Sequence, residues 1–129
     1  GGELSRIMLA IKTVLAQRDE IPTLIFDEID SGISGRTAQS VAEKLAMISR
    51  YHQIVCITHL PQIAAMADHH MRIEKTAVNG RARTEVSVLS ESGAEEELAR
   101  MLGGTQMTET ARRNACEMKK LAQDWKKHN

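Results

Sequence analysis

Two adjacent carboxylates, Asp27 and Glu28, follow a short apolar run, Thr23-Leu-Ile-Phe26. An apolar run without polar alternation is typical of a strand buried on both faces of a parallel sheet. Ligands of open α/β sheets bind at the carboxyl ends of such strands. Asp27 is therefore a candidate ligand for Mg²⁺, and Glu28 is a candidate to orient or deprotonate a water during chemistry on a nucleotide. The alternative is an acidic turn after a core strand.

A second apolar run, Gln53-Ile-Val-Cys-Ile-Thr58, ends at His59. A helical pattern from about Arg36 to Arg50 separates the two runs. Strand, helix and strand form a βαβ unit, in which the two strands run parallel with a right-handed crossover. Because the carboxyl ends of parallel strands share one edge of the sheet, the pattern predicts that His59 lies near Asp27 and Glu28.

Cys56 and His59 could instead be considered as a pair of zinc ligands. Their odd spacing on a strand sends the two side chains to opposite faces. No second Cys or His pair completes four ligands, so the sequence disfavours a zinc site. Cys56 and Cys116, the only cysteines, are predicted to be reduced packing residues, as in a cytosolic protein.

Gly1, Gly2 and Glu3 open a helical pattern that we expect to extend to about residue 17. Glycines before a helix let backbone N–H groups approach an anion, and the helix dipole favours negative charge there. The alternative is a loop remnant at the chain end. One face of this helix is predicted to be buried, and its apolar residues are Leu4, Ile7, Met8, Ile11 and Leu15.

The second half of the chain predicts a hairpin and two helices. Residues 71–89 alternate apolar and polar side chains around Asn79-Gly80, which is typical of an antiparallel hairpin. The segment from Gly80 to Arg83 could make the loop of this hairpin longer than two residues. Ser92-Gly-Ala-Glu95 has the spacing of a capping box, and Thr108 is a second candidate N-cap. The two helices are expected within residues 93–127.

Composition limits the classes of function. The 129 residues suffice for one domain, and 17 basic residues balance 17 acidic ones, which gives no support to strong non-specific nucleic-acid binding. The three aromatic residues make a stacking surface for single strands improbable. No apolar run reaches eighteen residues and no signal peptide occurs, so a membrane is not an expected partner.

Taken together, these motifs resemble the C-terminal half of an ABC-type ATPase head. Gly1-Gly2-Glu3 looks like the end of the signature motif, and Leu24-Ile-Phe-Asp27 looks like Walker B. Glu28 is similar to the catalytic glutamate of these heads. Ser31-Gly-Ile-Ser34 stands where the D-loop lies, and His59 resembles the switch histidine.

The residue sequences of these motifs are most similar to one family of such ATPases. Residues 1–12 (GGELSRIMLAIK), 26–35 (FDEIDSGISG) and 57–64 (ITHLPQIA) resemble the RecN family of bacterial SMC-like DNA-repair ATPases. The match is specific up to about Asp68 and looser beyond. It implies an α/β fold, the C-terminal lobe of a P-loop ATPase head, with a parallel βαβ core followed by a hairpin and helices. The implied segments are a signature helix (1–17), Walker B and D-loop (23–35), a switch-histidine strand (53–59), a hairpin (71–89) and C-terminal helices (93–127).

The resemblance also implies a function. Such a protein binds ATP and Mg²⁺ between two dimerised heads and hydrolyses ATP during recombinational repair of double-strand breaks, in the cytoplasm at the nucleoid. Its expected partners are a second head, the N-terminal lobe of the same head, and DNA bound by the longer protein. The implied site residues are Glu28 and His59 for catalysis, Asp27 for the metal, and Gly1, Gly2, Glu3, Ser31, Gly32 and Ser34 for the nucleotide.

Some features depart from related families. Transporter ATPases usually have Gln after the two glycines and an acidic residue at the end of the D-loop, where this chain has Glu3 and Ser34. No phosphate-binding G-x-x-x-x-G-K-[ST] motif and no long heptad repeat occurs, and both would precede Gly1 in a RecN-like protein. The chain is therefore expected to be a C-terminal part that is inactive alone. The alternatives are another SMC-type head, a transporter subunit, or a non-catalytic interaction module.

Overall fold

The computed structural model describes residues 1–129 and contains a parallel strand pair, an antiparallel hairpin and five helices. β1 (Thr23–Phe26) pairs with β2 (Gln53–Cys56) in parallel, from Thr23 opposite Gln53 to Phe26 opposite Cys56, and α2 (Gly35–Ile48) connects them. The predicted βαβ unit is confirmed. The other elements are α1 (Gly2–Leu15), α3 (Pro61–Ala65), β3 (Met71–Val78), β4 (Arg81–Val88), α4 (Glu91–Gly103) and α5 (Glu109–His128).

The core lies between one face of the parallel pair and the helices. α2 buries an apolar stripe that includes Val41, Leu45 and Ile48, as its helical spacing predicts. These side chains join Phe26 and Leu98 in one hydrophobic cluster that also includes residues of α1, α3 and α5. Each such side chain contributes about 1.5–3 kcal/mol when it is fully removed from water.

The strands are buried on one face only, so the prediction of two buried faces is wrong. Phe26 is 5% exposed and packs into the core, whereas its neighbour Ile25 is 70% exposed. Successive side chains of a strand point to opposite faces, and the helices of this chain cover the face of Leu24 and Phe26. The run is apolar on both faces, but only one face has a partner in this chain.

The prediction of a buried apolar face on α1 is also wrong. Leu9 is the large side chain of α1 that is buried, at 3% exposure, and the helix packs beside α2. The physical reason is that no element of this chain lies against the opposite stripe. The side chains predicted to be buried but found exposed are Leu4, Ile7, Met8, Ile11 and Leu15.

The hairpin prediction is confirmed, with a shorter loop than the sequence allowed. Asn79 and Gly80 form a two-residue turn with φ values of 51° and 74°, as a tight hairpin turn requires. Arg81 and Arg83 therefore belong to β4, and Arg83 forms an ion pair with Glu85 at 3.1 Å.

The helix caps differ in part from the sequence prediction. Ser90, not Ser92, caps α4, because its hydroxyl accepts a hydrogen bond of 3.1 Å from the Gly93 N–H. The predicted capping box is therefore wrong, and α4 starts earlier. Thr108 caps α5 as predicted, since it accepts from the Ala111 N–H at 3.1 Å.

The two cysteines depart in part from the prediction that they pack inside the protein. In α5 the buried apolar residues are Ala111, Ala115 and Ala122, whereas Leu121 is 61% exposed. Cys116 is free and exposed instead of packed, and Cys56 is free and half-buried. None of the helices combines the length and apolar character that a membrane crossing needs.

Two lysines of α5 hold the carboxyl end of α3. The Lys119 ammonium donates to the carbonyls of Ala65, at 3.4 Å, and Ala67, at 2.9 Å. Lys126 donates to the Met66 carbonyl at 3.0 Å. Burial, with a smaller contribution from the like charge of Lys126, lowers the pKa of Lys119. These bonds satisfy carbonyls that a helix end leaves free and anchor the segment that follows His59.

Gly2 is the point at which α1 approaches the loop after β1. A Cβ atom at this position would lie 2.7 Å from the Glu28 carbonyl oxygen and 2.9 Å from the Ser31 Cβ. The same addition at Gly1 would meet nothing within 4 Å.

Gly2→Ala should therefore lower the free energy of unfolding by about 1–3 kcal/mol, because overpacking forces the helix and loop apart. Gly1→Ala is the matched control and should change it by less than about 0.5 kcal/mol. Urea unfolding of the two variants measures the difference. Equal stability of both variants would show that the close approach at Gly2 is unimportant.

Candidate functional site

The loop from Asp27 to Ser31 forms the centre of the site. Asp27 and Glu28 are exposed, whereas Ile29 and Asp30 are buried. Glu28 has a φ of 58°, a left-handed conformation that costs a non-glycine residue about 1 kcal/mol or more. Such strain persists only where the surrounding contacts determine the backbone, and it occurs often at functional sites.

The first turns of α1 fix the backbone of this loop. The Ser5 hydroxyl donates to the Asp27 carbonyl at 3.2 Å. The Arg6 guanidinium donates to the carbonyls of Ile29, at 3.1 Å, and Ser31, at 2.8 Å. Because Gly2 also lies against the loop, three successive contacts of α1 hold it in place.

Asp30 fixes the loop from the side of β2. One of its carboxylate oxygens, Oδ2, accepts from the Thr58 hydroxyl at 2.5 Å and from the His59 N–H at 2.8 Å. The ring atom Nδ1 of His59 lies 2.9 Å from the same oxygen. The Ile57 N–H also donates to the Phe26 carbonyl at 3.0 Å, which extends the strand pairing by one step. The two strand ends are therefore joined directly.

Electrostatics favour the ionised form of Asp30. Burial acts to raise its pKa, but the hydrogen bonds from Thr58 and from the His59 backbone outweigh burial and hold the pKa below its ordinary value of 3.8. A carboxylate with a depressed pKa stabilises the fold above its unfolded pKa, and that stabilisation is lost as the pH falls through its folded pKa. Burial and the nearby charges of Asp30 and Asp27 raise the pKa of the Cys56 thiol to about 12.

The buried acid of this loop is therefore Asp30, which the sequence analysis did not single out. Asp27 and Glu28, the two acids that the sequence singles out, are both exposed. Arg6 and Thr58 were missed as well. The only hint of Asp30 in the sequence was that it is the third acid within four residues.

The remaining predicted site residues lie around the same loop. Gly1 and Glu3 are exposed at the start of α1, where Glu3 occupies the first turn. Gly32 has a φ of 73° and continues the turn. Ser34 immediately precedes α2, but its hydroxyl forms no capping hydrogen bond. The proposed nucleotide contacts of these residues remain predictions.

The exposed acids suit a metal ion that is held jointly by the protein and by substrate phosphates, rather than by protein ligands alone. No group of three or more His, Cys, Asp or Glu is placed to hold a metal ion. Mg²⁺ commonly takes one or two protein carboxylates and completes its shell with water and substrate phosphates. The exposed carboxylate of Asp27 fits that use.

The site is open on its outer side. Two grooves of about 400 and 540 Å³ lie elsewhere, one beside the carboxyl end of α1 and one along α5, and no predicted site residue lines either of them. The side chains of Asp27, Glu28 and His59 are exposed, so they form one open wall of a site rather than an enclosed pocket.

No family model matches this chain. Over 122 residues, or 95% of its length, it is 51% identical to the DNA repair protein RecN of Halalkalibacterium halodurans and 48% identical to that of Bacillus subtilis. It is 48% identical to the RecN of Haemophilus influenzae over 118 residues. The chain covers 22%, 21% and 21% of these three relatives.

A solved structure from work on the structural biochemistry of ATP-driven dimerization and DNA-stimulated activation of SMC ATPases has a similar fold. The TM-score is 0.58 at 25% identity, over 82% of this chain and 63% of that one. The predicted fold class, an α/β lobe of an SMC-type ATPase head, is confirmed. This chain is similar to the RecN DNA repair proteins over nearly all of its own length and over about one fifth of theirs.

Proposed function

We propose that this chain is the C-terminal lobe of a RecN-like ATPase head that acts in the repair of DNA double-strand breaks. The observation that carries the proposal is the loop from Asp27 to Ser31, which is held between the start of α1 and the end of β2. This contact brings the signature-like residues, the two exposed acids and the switch-like His59 around one loop. The similarity to RecN proteins supplies the biological context.

Each exposed group of the loop has a role in ATP hydrolysis. Asp27 would hold Mg²⁺, and Glu28 orients or deprotonates the attacking water. His59, whose side chain is 71% exposed, contacts the γ-phosphate or the water. Bound Mg²⁺ would supply charge neutralisation for the phosphates, and the residues of this chain supply position and the base.

A second head completes the site in this proposal. Gly1 and Glu3, which are exposed at the start of α1, face nucleotide bound by the partner head, and Gly2 seats α1 against the loop. Ser31, Gly32 and Ser34 lie at the contact between heads. The SMC ATPase structure of similar fold comes from work on ATP-driven dimerization and DNA-stimulated activation, which favours a homodimer and DNA as partners. The work of the longer protein would then take place at the nucleoid, in the cytoplasm.

The N-terminal lobe of the same head is the partner that we propose for the uncovered apolar surfaces. Ile7 of α1 is 57% exposed and Ile25 of β1 is 70% exposed, although both lie within apolar patterns. The site itself presents one wall. A lobe that carries the phosphate-binding loop would cover these side chains and supply the missing wall.

An interaction module without catalysis is the second candidate, and the same exposed apolar surface favours it. The two candidates predict different rates of ATP hydrolysis for the longer protein. Both predict no ATP hydrolysis by this chain alone, because the chain has no phosphate-binding loop.

We expect the purified 129-residue chain to release no more phosphate from ATP than its Glu28→Gln variant does. Steady turnover that Glu28→Gln abolishes would contradict a division of the site between two lobes.

In the longer protein, Glu28→Gln should retain ATP binding and lower turnover by about 100-fold or more, because the change keeps shape but removes the base. Equilibrium ATP binding and steady-state phosphate release measure the two effects. Asp27→Asn is the companion variant and should change the Mg²⁺ dependence instead. Near-normal turnover with Gln at position 28 would refute the role of this carboxylate and favour the interaction module.

His59→Ala should cut turnover of the longer protein at least tenfold, which corresponds to about 1.4 kcal/mol of transition-state stabilisation. The melting temperature should change little, because the ring is mostly exposed and the alanine variant keeps the backbone N–H that donates a hydrogen bond to Asp30. Turnover per folded molecule and thermal unfolding are measured together. A loss of stability with intact turnover would instead assign His59 a structural role.

A further inference from the structure

Three groups from the end of β2 converge on a single oxygen atom of Asp30. The Thr58 hydroxyl and the His59 N–H both donate to Oδ2, and Nδ1 of the His59 ring lies 2.9 Å from it. The Asp30 side chain is 4% exposed, whereas the His59 side chain is 71% exposed. One end of the imidazole is therefore held by a buried group, and the rest of the ring faces solvent.

The chemistry of this contact determines where the ring carries its proton. An ionised carboxylate only accepts hydrogen bonds, and the surroundings of Asp30 keep it ionised. A proton on Nδ1 of His59 is therefore favoured, because a lone pair of that nitrogen 2.9 Å from the negative oxygen would be repelled. A neutral imidazole has one N–H, so Nε2 is left with its lone pair free on the exposed side of the ring.

The neighbouring hydrogen bonds fix the backbone around the contact between Asp30 and His59. The Thr58 hydroxyl, which donates to Asp30, also accepts from the Leu60 N–H at 3.1 Å, so the backbone on both sides of His59 is fixed. On the other side, Arg6 donates to the carbonyls of Ile29 and Ser31, the residues that flank Asp30. The Asp30 carboxylate and the backbone of His59 therefore keep their relative position without any ligand.

We propose that Asp30 is a positioning residue that sets the tautomer and orientation of His59, so that Nε2 is the atom presented to the reacting groups. The inference rests on the proposed function, in which His59 acts on the γ-phosphate or the attacking water. Neutral Nε2 accepts a hydrogen bond from that water, and protonated Nε2 donates one to a phosphate oxygen. A buried acid that orients a histidine by its Nδ1–H is an arrangement that other enzymes use for the same purpose.

The first test measures the tautomer in this chain and needs no nucleotide. ¹⁵N-labelled histidine is observed by NMR at alkaline pH, where imidazole rings are neutral, and His59→Gln identifies the His59 signals among the five histidines. We expect His59 to be the Nδ1–H tautomer. A ring that is mainly protonated at Nε2 would overturn the proposal without any variant of Asp30.

The second test changes the carboxylate. Asp30→Asn removes the negative charge that favours a proton on Nδ1, which should increase the share of the Nε2–H tautomer of His59. Thr58→Val is the matched control, because it removes one hydrogen bond to Asp30 and leaves the contact with the ring in place. It should lower stability and leave the tautomer unchanged. An unchanged tautomer in the Asp30→Asn variant would overturn the proposal.

The third test concerns turnover in the longer protein. Asp30→Asn should lower kcat at least about tenfold with little change in KM, and should cause no further loss in a His59→Gln background. Equal losses in both backgrounds would overturn positioning through His59. If His59→Gln itself leaves turnover intact, the proposed function of His59 fails, while the tautomer measurement still decides the role of Asp30.

Discussion

The buried carboxylate of Asp30 is the interaction on which the arrangement of the site depends. It joins residues that are 28 positions apart in the chain, and it does so at the carboxyl ends of two strands. Removing a charge from water is costly, and this cost is offset only when several donors converge on the group. Thr58 and His59 provide those donors. The same hydrogen bonds therefore offset the cost of burying the charge and fix the geometry of the site.

The opposite side of the loop is fixed by packing rather than by charge. Gly2 allows α1 to approach the Glu28 carbonyl, and Arg6 then reaches the carbonyls on both sides of Asp30. Held in this way, Glu28 adopts a left-handed conformation that its residue type disfavours. The strain lies at the exposed carboxylate for which we propose the role of base, and the contacts that maintain it come from elements distant in sequence.

The sequence predicted elements and their order better than it predicted burial. Two apolar runs around a helical pattern are enough to predict a parallel βαβ unit, and Asn79-Gly80 is enough to predict the hairpin turn. Apolar periodicity shows which face of α1 is hydrophobic, but it does not show whether this chain covers that face. The burial of Asp30 was not predictable for a related reason, because it depends on Thr58 and His59 and not on neighbours in sequence.

The parallel strand pair has a consequence for solubility. A sheet of two strands has an unpaired backbone edge on each side, and its outer face carries the exposed side chain of Ile25. Open edges beside uncovered apolar side chains are a template for association between copies of a chain. Salts that are excluded from protein surfaces strengthen this association, and chaotropic agents weaken it. The surface that we propose to be covered by another lobe is therefore the surface that limits the concentration of this chain in isolation.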